Sequence, residues 1–443
     1  MVKVALICKN DSSLKITSYV ANAFNSLGHS TTTFILDVQN KQYNELIKQF
    51  DLKGKVTFVK SHKKFLDSNE LLDFDVIHII TFGSYIQQLF SNLGSRNLNR
   101  KRPLIVTGLI GTLGGDLYQC YSVRQLADIF YVGGEFDKAR LLEAAEKYGD
   151  DPDKIVNTGL PMFDEFKRSN APKDPNKRES IVFAGQPTYP ANRIERKWLI
   201  KSLLDLARKY PEKDIILKPR VKPNEGTIHV SPHHFEEILQ DFDKKNMPSN
   251  FKVTYTDIRQ LINSCDLLLT ISSTAAYEAM VAGKNVGFIT DFGIVERYGN
   301  HIFVDSGAMI SFTEMINGKM PAIKPDWVEY VVNMSGEASM NVCKAILERL
   351  ESKKEQLESG KFEPYYAMES THPMLVYARK VDAPSNKGKV KNKNVSRSVT
   401  PKRNIFLKNM LIKLFKVLRR NQHINRLILK SIDHLKDVYR NSH

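Results

Sequence analysis

The segment Asp266-Leu-Leu-Leu-Thr-Ile-Ser-Ser-Thr-Ala-Ala-Tyr-Glu-Ala-Met-Val-Ala-Gly-Lys284 carries the clearest chemical signal in the chain. An apolar strand runs out at Ile271, three small hydroxyl residues follow, and a helix begins within one or two positions. N–H groups at such a helix start, with the hydroxyls of Ser272, Ser273 and Thr274, suit a phosphate or diphosphate. The same hydroxyls would also cap the helix, because capping and anion binding share one geometry. Glu278, one turn inside the helix, is placed to reach a sugar or ribose hydroxyl or to face the cleft rim.

Upstream, Lys218 and Arg220 follow a strand in Leu217-Lys-Pro-Arg-Val-Lys-Pro-Asn-Glu-Gly-Thr-Ile-His229. Two fixed cations there would neutralise a phosphate leaving group as its bond breaks, and Arg adds bidentate geometry. His229 is the residue whose charge changes near neutral pH, so it suits protonation of that leaving group. Lys222 reads as solvated loop. Gly185 and Gln186, in Gly185-Gln-Pro-Thr-Tyr-Pro190, follow another strand, where Gly allows close backbone approach and Gln offers an amide to a base or phosphate. Asp11 and Asp116 are the carboxylates best placed as general base on an acceptor hydroxyl. Asp116 closes the glycine-rich stretch that opens at Gly108, which lacks the spacing of a dinucleotide fingerprint. Asp151-Pro-Asp153 spells a DxD, but Gly and Pro make it a turn. No His/Cys/Asp cluster has metal-ligand spacing, so neither metal nor cofactor is expected.

These residues need strand ends to hold them. Strand-like and helix-like segments alternate from Val2 to Asn157 and again from Ser180 to Thr290, which implies parallel sheets with helices on both faces. The expected fold is α/β: two Rossmann-like domains facing each other across a cleft, with ligands outside the carboxyl ends of the strands. The boundaries read as 1–166 for an acceptor domain, 167–178 for a polar linker and 179–335 for a donor domain. A closing helix and irregular segment follow over 336–383, then a Lys/Asn/Ser-rich linker expected to be disordered over 384–400, and a basic helical tail over 401–443.

The +16 net charge is concentrated in that tail. From Pro384 to His443 sixteen Lys and Arg face only Asp433 and Asp437, so +14 of the total lies there. A nearly neutral body argues against a nucleic-acid partner. On a helix, Phe406, Leu407, Met410, Leu411, Leu414, Phe415, Val417 and Leu418 oppose Lys408, Asn409, Lys413, Lys416, Arg419 and Arg420, with Ile405 and Ile412 breaking the pattern, which suits a segment docking on an anionic membrane. Packing on the body or on a partner protein is the other use of such a face. No run of about 18 uncharged apolar residues would span a bilayer. No secretory signal opens the chain, and Cys8 and Cys265, in or beside strand-like runs, read as buried free thiols of a reducing compartment. The expected location is cytoplasmic, peripheral at the inner membrane face.

The strand, the Ser-Ser-Thr turn and the Glu278 helix ending in Ala-Gly-Lys resemble the donor domain of GT-B glycosyltransferases. Asp11-Ser-Ser-Leu-Lys15, Arg102-Pro-Leu-Ile-Val-Thr-Gly108, Thr158-Gly-Leu-Pro161, Phe183-Ala-Gly-Gln186, Ser272-Ser-Thr-Ala-Ala276 and Thr290-Asp-Phe-Gly-Ile294 resemble an uncharacterised bacterial glycosyltransferase-like family often associated with surface-polysaccharide loci. The resemblance implies a metal-independent transferase taking a nucleotide-sugar donor and an oligosaccharide or lipid-linked glycan acceptor. Bacterial polysialyltransferases and Kdo transferases, which use CMP-sugars, are more loosely similar. Their serine pair matches Ser272 and Ser273, but Lys218-Pro219-Arg220 stands where they have His-Pro. Teichoic-acid-type polymerases using CDP-linked polyols share the architecture. A sugar-nucleotide epimerase and a non-catalytic scaffold of a polysaccharide assembly complex are the other readings.

Overall fold

The computed structural model describes residues 1–94, 96–111, 117–166, 178–223, 233–363 and 365, all within one unit, Met1–Val381. Asp116, His229, the linker 167–178 except Arg178, residues 364 and 366–383 of the closing segment, the 384–400 linker and the basic tail lie outside the described residues.

The first half contains strands β1 (Lys3–Cys8), β2 (Ser30–Ile35), β3 (Lys55–Phe58), β4 (Val76–Ile79), β5 (Leu104–Gly108), β6 (Ile129–Val132) and β7 (Ile155–Asn157). They form one parallel sheet ordered β3-β2-β1-β4-β5-β6-β7. The second half holds β8 (Ser180–Ala184), β9 (Asp214–Lys218), β10 (Phe251–Val253), β11 (Leu267–Thr270), β12 (Asn285–Ile289) and β13 (Met309–Ile310). Its order, β10-β9-β8-β11-β12-β13, repeats that of the first six strands. The central strands are buried along their length, because helices cover both faces of a parallel sheet. Two strands escaped the sequence pattern. The polar, half-exposed Lys55–Phe58 is an edge strand, and Met309–Ile310 is only two residues long.

The helix Asp11–Ser26 starts at a capping box: the Asn10 side chain accepts the Ser13 N–H at 2.8 Å, and Ser13 Oγ accepts the Asn10 N–H at 3.0 Å. That box puts Asp11 in the first turn, at the carboxyl end of β1. A second box, Asn192 with Glu195, opens the helix Arg193–Lys209. The sequence pattern suggests one helix over Ala338–Glu358, but the chain breaks it into Ala338–Ser352 and Lys354–Glu358. The longer piece returns to the first half. Asp164 accepts the Ala338 and Ser339 N–H groups at 2.7 and 2.8 Å, and Cys343 packs on the backbone of Val20. Close approach at Gly134 permits this return, since a Cβ there would stand 2.3 Å from the Val331 carbonyl oxygen.

Cys8 and Cys265 are buried free thiols, and burial pushes the Cys8 thiol up to about 12. No described helix is long and apolar enough to cross a membrane. Asp151 caps the Asp153 N–H and pairs with Lys353, so the DxD turn is engaged locally.

Arg102, from the Arg-Pro-Leu-Ile-Val-Thr-Gly segment, is a fastening rather than a ligand contact. Its guanidinium forks onto Asp128 with two bonds of 2.8 Å, both residues buried, and Asp128 also accepts the Ile105 N–H. Arg102→Ala would leave that carboxylate buried and unpaired, a loss of roughly 3–5 kcal/mol. A large drop in the urea midpoint is the expected result. A midpoint within experimental error of the parent would mean that the pair does not hold the sheet.

Candidate functional site

The carboxyl ends of both sheets border a cleft of about 780 Å³. Asp11, Gly185, Gln186, Lys218, Arg220, Ser272, Ser273, Thr274 and Glu278 all line it, so sequence positions more than 250 residues apart meet in one space. Gly111, in the described part of the glycine-rich stretch, also arrives there, since a Cβ built on it would lie 3.7 Å from the Thr274 side chain.

The serine turn is more self-contained than its sequence suggests. The Ser272 N–H donates to Gln186 Oε1 at 3.1 Å, and Gln186 Nε2 lies 3.3 Å from Ser272 Oγ. The Ser273 N–H donates to Thr270 Oγ1 and the Ala275 N–H to Ser273 Oγ. The expectation of free N–H groups at this helix start is thus corrected at three positions: side chains already hold them, because the turn is tight enough for its own hydroxyls to reach. The helix behind it is short, Ala275–Val281.

The two cations behave differently. Lys218 ends β9 rather than following it, and its ammonium turns onto the carbonyls of Pro219 and Arg220 at 3.0 and 3.3 Å. Arg220 reaches across the cleft to Asp11, with Nη2 3.4 Å from Oδ2 and both side chains nearly half exposed. A pair that exposed contributes little to stability and exchanges readily. The two residues assigned to opposite partners, base and donor, are therefore joined.

Gly185 has a packing reason of its own: a Cβ would stand 2.9 Å from the Phe235 ring. The loop it opens is held by Arg196, which is buried and donates to the carbonyls of Pro187, Pro190 and His233.

Beneath these groups lies a charge cluster that the sequence reading missed. Lys15 pairs with Glu165, stands 3.4 Å from Glu278 Oε1, and packs over the Phe166 ring. Glu165 also accepts from Tyr19 at 3.0 Å and from Arg259 at 3.1 Å, and Arg259 forks onto Asp257. Lys15, Glu165 and Glu278 are all largely buried. Glu278 does not face the rim but closes the cleft floor. Burial pushes its carboxyl above the ordinary range, with Lys15 opposing and Glu165 adding to the push. The bond from Arg259 holds Asp257 below its ordinary range despite partial burial. Lys15 was visible only as a member of the Asp11–Lys15 segment. Glu165, Asp257 and Arg259 carry no local spacing signal, since the fold alone brings them together. Among the described residues no cluster of His, Cys, Asp and Glu could hold a metal ion.

The family described as "Putative glycosyltransferase (DUF6716)" matches residues 4–341. The chain belongs to this family. The enzyme class read from the sequence is the class of the family, and the two-sheet architecture is GT-B. Among solved structures, the Staphylococcus aureus MnaA–UDP co-structure superposes with a TM-score of 0.53 at 13% identity, over 83% of this chain and 100% of that one. Neisseria meningitidis UDP-GlcNAc 2-epimerase bound to UDP-GlcNAc gives 0.51 at 15% identity, over 78% and 100%. The Methanocaldococcus jannaschii UDP-GlcNAc 2-epimerase gives 0.53 at 15%, over 77% and 99%. At these identities the likeness is one of fold. No curated protein matches this member of the glycosyltransferase family by sequence.

The raised carboxyl of Glu278 sets a pH dependence. A carboxyl above its ordinary 4.5 favours the folded state at low pH, and that contribution is lost as pH rises through the raised value. Glu278→Gln removes the titration, so the variant should gain stability relative to the parent as pH climbs from about 4.5 towards neutrality. Urea midpoints across that range test it, and a parent–variant difference that stays constant with pH rules it out.

Proposed function

We propose that this enzyme moves a sugar from a nucleotide-activated donor, bound in the cleft, to an oligosaccharide or lipid-linked glycan. One observation carries the reading: a hydroxyl turn after β11 and two basic residues at the end of β9 share a cleft with an acidic residue from the opposite sheet. Phosphate oxygens of the donor would take the places that Gln186 holds on Ser272 and that Asp11 holds on Arg220. Their negative charge draws Arg220 from Asp11, which frees the carboxylate to accept the proton of an acceptor hydroxyl. The acceptor oxygen then bonds to the anomeric carbon as the bond to phosphate breaks, and the electron pair leaves with the nucleotide. Arg220 and Lys218 stabilise that developing charge. Asp116 and His229 keep the roles that their sequence positions suggest, second base and leaving-group acid.

Further support for a nucleotide-sugar donor comes from the solved two-sheet proteins above, which hold UDP and UDP-GlcNAc. The resemblance to a family of surface-polysaccharide loci supports, as part of this proposal, a product in a capsule or other cell-surface polysaccharide made at the inner membrane face. The amphipathic tail would bring the enzyme there.

A thermal-shift screen against CMP-, CDP-, UDP- and GDP-sugars should identify the donor, and product formation should require an added glycan acceptor. Turnover of the donor alone, into its epimer, would replace transfer by epimerisation. With the donor known, Arg220→Ala should lower kcat/KM by roughly 10²–10³. Unchanged kcat/KM in Arg220→Ala and in the Lys218→Ala, Ser273→Ala double variant would overturn the catalytic reading and leave a scaffold.

A further inference from the structure

The helix Arg193–Lys209 buries one face in the second half and presents another to solvent. That outer face is unusual. Ile194 is 83% exposed and Trp198, one turn on, is 46% exposed. The Trp198 indole N–H points at Asp291 Oδ1, 3.5 Å away, so the turn after β12 lies beside it. Three and four residues further, Ile294 and Val295 are 47% and 41% exposed. Large apolar side chains gathered on a soluble surface mark an interaction site.

The charges around it are predominantly basic, with Glu296 as an exposed carboxylate at its edge. Arg193 and Lys197 share a single carboxylate, Asp241, while Lys201 and Arg208 share Asp205. Each trio keeps one net positive charge, and in each the basic groups are more exposed than the acid between them. Glu195 is turned back into its capping box, and Asp291 also accepts the Phe312 N–H, so both point towards backbone. Arg297 stands beside the exposed Glu296 at the edge. The Lys201 ammonium lies 5.6 Å from the Trp198 ring centroid, a cation over an aromatic face, and also pairs with Asp205. Exposed Ile and Trp interleaved with Lys and Arg suit the headgroup level of an anionic bilayer, where indole rings collect and each cation adds attraction.

We infer that this face, built from Ile194, Trp198, Ile294 and Val295 with Lys197 and Lys201, rests on an anionic lipid membrane. It is a contact of the folded body, independent of the basic tail and of the donor chemistry. The face also borders the cleft. Tyr189, in the cleft lining, packs its ring 4.8 Å from that of Tyr298, three residues beyond Val295. A bilayer against it would lie beside the cleft mouth.

Tryptophan emission of the full chain tests this directly. The chain has two tryptophans, and Trp327 is buried among Phe288 and Phe303. Adding vesicles of phosphatidylcholine and phosphatidylglycerol should blue-shift the emission, and nitroxide-labelled headgroups should quench it. Both responses should vanish in Trp198→Phe. Lys197→Glu with Lys201→Glu should weaken the Trp198 response by roughly tenfold or more in lipid concentration. A chain that sediments with these vesicles while its emission stays unchanged is held elsewhere, and the inference fails. Absence of any vesicle binding also overturns it, as does a surface that responds only to a protein partner. Sugar transfer to a water-soluble acceptor, measured without lipid, is unaffected by either outcome and reports on the cleft separately.

Discussion

One ammonium group sits between two carboxylates at the floor of the cleft, and the arrangement of the two halves turns on it. Lys15 belongs to the first helix, Glu165 to the end of the first half, and Glu278 to the helix behind β11. A charge taken this far from water is costly unless it is paired, and breaking such a group is costlier than forming it was favourable. The partners must therefore meet, which brings the carboxyl end of one sheet against that of the other. Arg259 extends the same logic, tied to Glu165 on one side and to Asp257 on the other.

The repeated strand order gives that junction its chemical content. In each sheet the first strand is flanked by the second and fourth, so β1 and β8 lie where the order reverses. Asp11 follows β1, and the Gly185–Gln186 loop follows β8. Neighbouring strands in the second sheet add Lys218 and the Ser272–Thr274 turn. The helix Ala338–Ser352, held by Asp164, then closes back onto the first helix, so the beginning and the end of the described chain are packed together.

Much of this was legible from apolar runs and punctuation. Buried strands such as Leu267–Thr270 are continuous enough in sequence to be recognised, and the turns after them carry the small or charged residues that chemistry requires. The lost elements lacked contrast: Lys55–Phe58 is polar on an edge, and Lys353 interrupts what reads as a single helix by geometry rather than by Gly or Pro. For the site, position was easier to infer than partnership. Nothing near Arg220 in sequence names Asp11, and nothing near Glu278 names Lys15, because those pairs are separated by 209 and 263 residues. Local spacing also overstates the openness of the serine turn, since the residue that fills it, Gln186, comes from another strand.

That filling has a thermodynamic meaning. With its amide on both the N–H and the hydroxyl of Ser272, Gln186 acts as an internal competitor, and any incoming ligand is weighed against it rather than against water. The net gain from exchanging one hydrogen bond for another is small. A lone inorganic anion would recover little beyond what it displaces, whereas a molecule that reaches Ser272 and the basic groups beyond β9 together makes several exchanges at once. If the proposed donor binds here, the turn would thereby filter on size and multiplicity, favouring a ligand long enough to satisfy the whole cleft over a fragment.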